Sequence, residues 1–193
     1  MKITICTVNI EVHEIVSELF EHVEDVEVKF ASVTSEPADA IVSPANSFGI
    51  MDGGVDAVIA DQIVGAERRV MQHIKEFRYG EINVGSAALV HVGHPSFKWI
   101  ISAPTMRVPM GIRGTTNVYS AFRAMLICAI EARAIGTIST PVFGTGVGKM
   151  DAKVAATQML MAYRNVIEGK RYENFDDIRD TQIKLINHDY LNQ

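Results

Sequence analysis

The chain has 193 residues, of which 48% are hydrophobic and 21% charged, and its net charge is −5. That length and balance predict a single globular domain spanning 1–193, with core enough to fold without disulfide or metal staples. The acidic sum argues against a protein built to grip nucleic acid, and no apolar run approaches the ~18 residues of a membrane span.

From the N-terminus, Lys2 to Val8 is a short β-rich run without the features of a secretory leader. Val12 to His22 has helical spacing at Val12, Ile15, Val16 and Leu19. Val26 to Phe30 alternates with period two, and Asp39 to Ser43 (DAIVS) reads as a buried strand. Val55 to Phe77 predicts a helix broken near Gly65, followed by strands at Ala87 to Val92 and Trp99 to Ala103 on either side of the turn-like GHPS. Thr116 to Ala134 is the clearest helix, with Val118, Phe122, Met125, Leu126, Ala129 and Ile130 on one face. Thr137 to Val142 predicts a strand, and Asp151 to Ile167 a helix that Asp151 can cap. The charged tail from Glu168 leaves room for one more short helix. Strands alternating with helices predict a three-layer α/β/α fold with a mixed, mostly parallel sheet. Cys6 and Cys128 sit in apolar runs without metal-ligand spacing, as free thiols of a reducing, cytoplasmic compartment do.

Ligands of such sheets settle beyond the carboxyl ends of the strands, where backbone amides and helix N-termini converge. Two loops fit: Ser43 to Asp56 (SPANSFGIMDGGVD) and Gly144 to Lys149, inside PVFGTGVGKMD. The second is not a Walker loop, because Phe143 replaces its first glycine and Met150 follows Lys149 where a Ser or Thr should stand. Nor is it the dinucleotide fingerprint, whose third glycine falls on Lys149 when counted from Gly144 and Gly146. Two glycine loops side by side would instead form a diphosphate clamp made of backbone, in which a bulky residue at Gly146 is expected to abolish binding by steric exclusion and by lost φ freedom.

DAIVSPANSFGIMDGGVDAVI resembles the first loop of macro domains, the ADP-ribose-binding modules, and GTGVG resembles their second, diphosphate-binding loop. Ala31 to Thr34 (ASVT) is similar to their GDIT turn, so the resemblance runs from Ala31 to Ile167. ISAPTMRVP and the insert near residues 10–25 are similar to a phage- and bacteria-associated branch. The resemblance implies that Asn46 holds the distal ribose hydroxyls, with Ala45 beside it. Gly53, Gly54 and Val55 would flank that ribose, and Asp56, ten residues beyond Asn46, would orient water toward the anomeric carbon. With the diphosphate at hand to share the proton, Asp56 needs no raised pKa. Gly144, Thr145, Gly146, Val147 and Gly148 would turn their amides to the diphosphate. Ser32 stands where the family has an adenine-binding Asp, with Val33 next to it. Gly148 replaces a common aromatic, and Asp52 intrudes among the first-loop glycines.

The resemblance therefore implies a partner, ADP-ribose or an ADP-ribosylated substrate, with no cofactor and no metal; no pattern specifies an oligomeric state. Three classes stay open: hydrolase of an ADP-ribose ester or 1″-phosphate, reader without turnover, or accessory protein of phage origin. The bland alternative makes Asn46 and Asp56 turn and cap residues. His91 and His94 lack a third metal ligand nearby, and Arg107 and Arg113 read as residues of a solvated loop that could also reach a phosphate.

Overall fold

The computed structural model describes residues 1–186; residues 187–193, the end of the charged tail, lie outside the described part. The first βαβ unit is β1 (Lys2–Thr7), α1 (Ile10–Phe20) and β2 (Val26–Phe30). Asn9 starts α1, its Oδ1 accepting from the Val12 amide at 3.1 Å. After β3 (Ala38–Ser43) come α2 (Gly54–Gln62) and α3 (Ala66–Phe77), one helical run broken at Gly65, whose φ of +79° ends the helical path. A hairpin of β4 (Ala88–His91) and β5 (Phe97–Ser102) leads to α4 (Asn117–Ala132), β6 (Thr137–Pro141), α5 (Ala152–Val166) and α6 (Phe175–Ile186). Asp151 caps α5, accepting from the amides of Lys153 and Val154 at 2.9 and 3.1 Å.

Among the described residues, six strands run β2-β1-β6-β3-β5-β4, all parallel except the β4–β5 pair, where Val90 lies opposite Ile100. Alternation sorts the side chains between two layers. Ile3, Ile5, Ala40, Val42, Ile101 and Ile138 join the core under α1, α4 and α5, while Ile41, Val90, Phe97 and Ile100 pack with α2 and α3. The result is the expected three-layer fold. The second helical layer packs on β3, β4 and β5; the other half of that face carries a recess of about 490 Å³ lined by polar residues such as Lys2, Thr4, Glu27 and Thr137.

One side chain departs from the periodicity reading. Ile130 is 48% exposed, and Ala121 and Ala124 are buried instead. At ~100° per residue, position 130 has rotated off the stripe that begins at Val118. Among the described residues, no helix is long and apolar enough to cross a membrane.

Candidate functional site

β1 leads by α1 to β2 on one side of β6, whereas β3 leads to β5 and β4 on the other. The strand order thus diverges around β6, and a crevice opens beyond the carboxyl ends of β1, β6 and β3. It holds a cavity of about 550 Å³, a size suited to a small-molecule ligand. Ser32, Val33, Ala45, Asn46, Gly53, Gly54, Val55, Asp56 and the run Gly144, Thr145, Gly146, Val147, Gly148 all line it.

The first loop is stitched to the segment after β5. Ser43 and Pro44 carbonyls accept from the amides of Ala103 and Thr105 at 2.9 and 3.1 Å, and Asn46 bridges Met106. Asn46 is 7% exposed, and its side chain organises its own loop. Oδ1 accepts from the amides of Phe48 and Ile50 at 3.1 and 3.3 Å, while Nδ2 donates to the Ile50 carbonyl at 2.8 Å. A primary amide has two N–H groups, so one donor is left to face a ligand. Ser32 also forms a turn, its Oγ 3.0 Å from Thr34 Oγ1 and its carbonyl accepting from Ser35.

The three helices that open near the cavity differ at their first turns. Side chains cap α1 and α5, but α2 starts at Gly53, which has no cap to offer. Among the described residues, no acceptor takes the amides of Gly54, Val55 and Asp56. The same holds for the amides of residues 144–148; the loop closes on itself only beyond them, through Lys149 and Met150 amides on the Gly146 and Gly144 carbonyls, each at 3.0 Å. Eight backbone amides of cavity-lining residues thus have no protein acceptor among the described residues, the kind of donor an anion site uses.

The glycines of the second loop have different duties. Gly144 has φ +77°, and a Cβ there would stand 2.6 Å from Val118 Cγ2. A Cβ on Gly148 would stand 2.7 Å from the Gly144 carbonyl and 2.8 Å from Ile112, so an aromatic has no room there. Gly146, expected to matter for both space and φ freedom, lacks a positive φ, and a Cβ added to it would meet nothing within 4 Å. Of the two expected causes, the open space is present and the special φ is not. Phe143, fully buried edge-to-face on Phe122 at 5.4 Å, anchors the loop to α4.

Asp56 is the most perturbed titratable group of the cavity wall. It lies in the first turn of α2, 5% exposed, and its Oδ1 has no hydrogen-bond partner among the described residues. Burial pushes its pKa up to about 6; Ser43 opposes the shift and the charge of Asp52 adds to it. The chemistry expected of Asp56 did not require this shift; desolvation, invisible in the sequence, produces it.

Sequence reasoning missed a third wall. Thr7, Val8, Asn9 and Val12 from the end of β1 and start of α1, with Thr105, Met106 and Pro109, also line the cavity. A strand ending just before a capping Asn was the available signal. Arg107 and Arg113 turn elsewhere: Arg107 pairs with Glu81 at 2.8 Å, and Arg113 donates to the Lys149 carbonyl. His91 stacks edge-on against Trp99, and no three metal-ligating side chains gather among the described residues.

Residues 42–159 match the Macro domain family model. An uncharacterized protein of Aquifex aeolicus is 38% identical over 140 residues, covering 72% of this chain and 81% of its own length. One from Aeropyrum pernix is 33% identical over 147 residues, covering 74% and 72%. Among solved structures, the Oceanobacillus iheyensis macrodomain with ADP is 19% identical with a TM-score of 0.61, covering 83% of this chain and 88% of its own. The macrodomain of Mycobacterium tuberculosis DarG is 18% identical with a TM-score of 0.60, covering 70% and 87%. Thermosipho africanus DarTG in complex with ADP-ribose is 13% identical with a TM-score of 0.57, covering 95% and 57%.

Proposed function

This chain belongs to the macro domain family, and from that premise we propose that it binds ADP-ribose in the cavity and hydrolyses an ADP-ribosyl ester at the distal ribose. The observation that carries the binding is the set of eight backbone donors at residues 54–56 and 144–148, in a cavity without a lining lysine or arginine among the described residues. Neighbours of the same fold hold ADP and ADP-ribose. The diphosphate would lie on the second loop, the base toward Ser32 and Val33, and the distal ribose toward Asn46, Gly53 and Asp56.

For turnover, the ionised Asp56 takes a proton from a water as that water attacks the anomeric carbon and the ester oxygen leaves with its bonding electrons. A carboxylate whose pKa stands at about 6 is ionised at neutral pH yet basic enough to accept that proton. Asn46 offers its remaining N–H to a ribose hydroxyl. A reader without turnover is the second reading, favoured by an Asn46 amide already committed to its own loop. A phage-derived accessory role has no observation in its favour. The two free thiols, Cys6 and Cys128, suit a reducing compartment such as the cytoplasm.

Titration calorimetry with ADP-ribose, ADP and AMP tests binding, with ADP-ribose expected at roughly −5 to −8 kcal/mol, micromolar to sub-millimolar. Release of ADP-ribose from an ADP-ribosylated carboxylate tests turnover. Asp56→Ala is expected to lose about 10²–10⁴ in rate while still binding ADP-ribose. A wild type that binds but releases nothing at high enzyme concentration is the reader.

A further inference from the structure

Charge is unevenly distributed around the cavity. Among the described residues, its wall carries two carboxylates, Asp52 and Asp56, and no lysine, arginine or histidine. The nearby arginines are occupied. Arg107 holds both carboxylate oxygens of Glu81, at 2.8 and 3.1 Å, with its guanidinium over the Phe48 ring, and Arg113 sits on the Lys149 carbonyl. Positive potential along the wall therefore comes from backbone amides. Such dipoles act at hydrogen-bond range, and the second loop gathers five of them in one run.

The first-loop end is the opposite. Asp56 is nearly buried with one oxygen unpartnered, and Asp52 stands exposed at the mouth. The two already repel each other. A phosphate on the distal ribose would bring ~1.5–2 further negative charges against them. Among the described residues, the free backbone donors at that end are the three first-turn amides of α2.

We propose that the Asp52–Asp56 pair excludes a second phosphate, so that the ADP-ribosyl groups this chain accepts carry an uncharged or cationic 1″ substituent. ADP-ribose 1″-phosphate is then a rejected ligand rather than a substrate. The proposal rests on the ADP-ribose reading above, and the experiment separates the two.

Wild type and Asp52→Asn are titrated with ADP-ribose and with ADP-ribose 1″-phosphate at about pH 7.5, where the terminal phosphate is mostly dianionic. The wild type is expected to bind the 1″-phosphate at least tenfold more weakly than ADP-ribose. The gap should widen at low ionic strength and narrow in Asp52→Asn, because screening and charge removal both weaken a repulsion. Equal or tighter binding of the 1″-phosphate overturns the exclusion while leaving the ADP-ribose reading intact. A gap indifferent to salt and to Asp52→Asn also overturns it, since the discrimination would then be steric. No binding of ADP-ribose by the wild type overturns both.

Discussion

A carboxylate buried in the first turn of its helix, with one oxygen facing no donor, pulls stability and chemistry in opposite directions. Asp56 has its pKa raised from 3.8 to about 6 by burial. The native state therefore holds the proton more tightly than the unfolded chain. Its favourable contribution is complete below pH 3.8 and is lost as pH rises through 6. At pH 8 the ionised group costs on the order of 3 kcal/mol. Asp56→Asn, uncharged and of equal shape, should accordingly melt higher than the wild type at about pH 8, with the advantage fading toward pH 4. Calorimetric melting across that range reads it directly. Turnover runs the other way, because only the ionised form accepts a proton. The kcat/KM of the wild type should fall as pH drops through about 6. A profile flat between about pH 5 and 8 would take Asp56 out of the reaction. Asn46 holds the same loop together through its side chain. Its truncation to Ala strands two amides and a carbonyl of the loop, at about 1–3 kcal/mol of stability for a buried unpaired group, and should weaken ADP-ribose as well.

At the scale of elements, the second glycine loop separates what folds it from what a ligand meets. Gly144→Val would force a side chain onto a backbone at φ +77° and into Val118, so loss of folded protein is expected, read as loss of a cooperative melt. Gly146→Val meets no atom within 4 Å at its Cβ and should leave the melting temperature nearly unchanged. It should nonetheless weaken ADP-ribose at least tenfold (about 1.4 kcal/mol), because the isopropyl group occupies the space over the loop amides. Unchanged affinity would remove the phosphate from this loop. The sequence distinguishes these glycines poorly. Their spacing announces a loop of free amides, but Val118 and Ile112, which decide that Gly144 and Gly148 tolerate no side chain, come from α4 and the stretch before it. The elements themselves were legible because periodicity depends on neighbours: the AIV of DAIV is apolar on both faces as a central parallel strand must be, and Gly65 breaks its helix at a positive φ. The raised pKa of Asp56 and the commitment of the Asn46 amide were not legible, since both depend on what three-dimensional packing excludes.

Across the whole molecule, the cavity depends on pieces distant in the chain, and so does the stability of its frame. The β1–α1 wall reaches the site only because β1 pairs with β6, Ile5 opposite Thr140, a topology that local patterning does not specify. Gln158 ties the far side in a similar way. It is fully buried in α5, and its Oε1 accepts from the Tyr119 amide in the first turn of α4 at 2.9 Å. Its Nε2 donates to the Thr115 carbonyl at 2.7 Å and to the Leu185 carbonyl in α6 at 2.6 Å. One side chain thus joins α4, the segment ahead of it and α6, where Leu185 is itself 4% exposed. Gln158→Ala would leave three backbone groups without partners at about 1–3 kcal/mol each where water stays out, so a loss of roughly 2–5 kcal/mol is expected. For a chain of this length each kcal/mol lowers the melting point by about 2–4 °C, which puts the shift at roughly 5–15 °C. Gln158→Glu keeps the shape but offers carboxylate oxygens to two carbonyls, and should fare no better. Hydrogen exchange then locates the damage: amides of α6 should lose protection first, because among the described residues the main packing partner of α6 is α5. If α6 stays protected while α4 opens, Gln158 serves the loop before α4 and Leu185 alone holds the last helix.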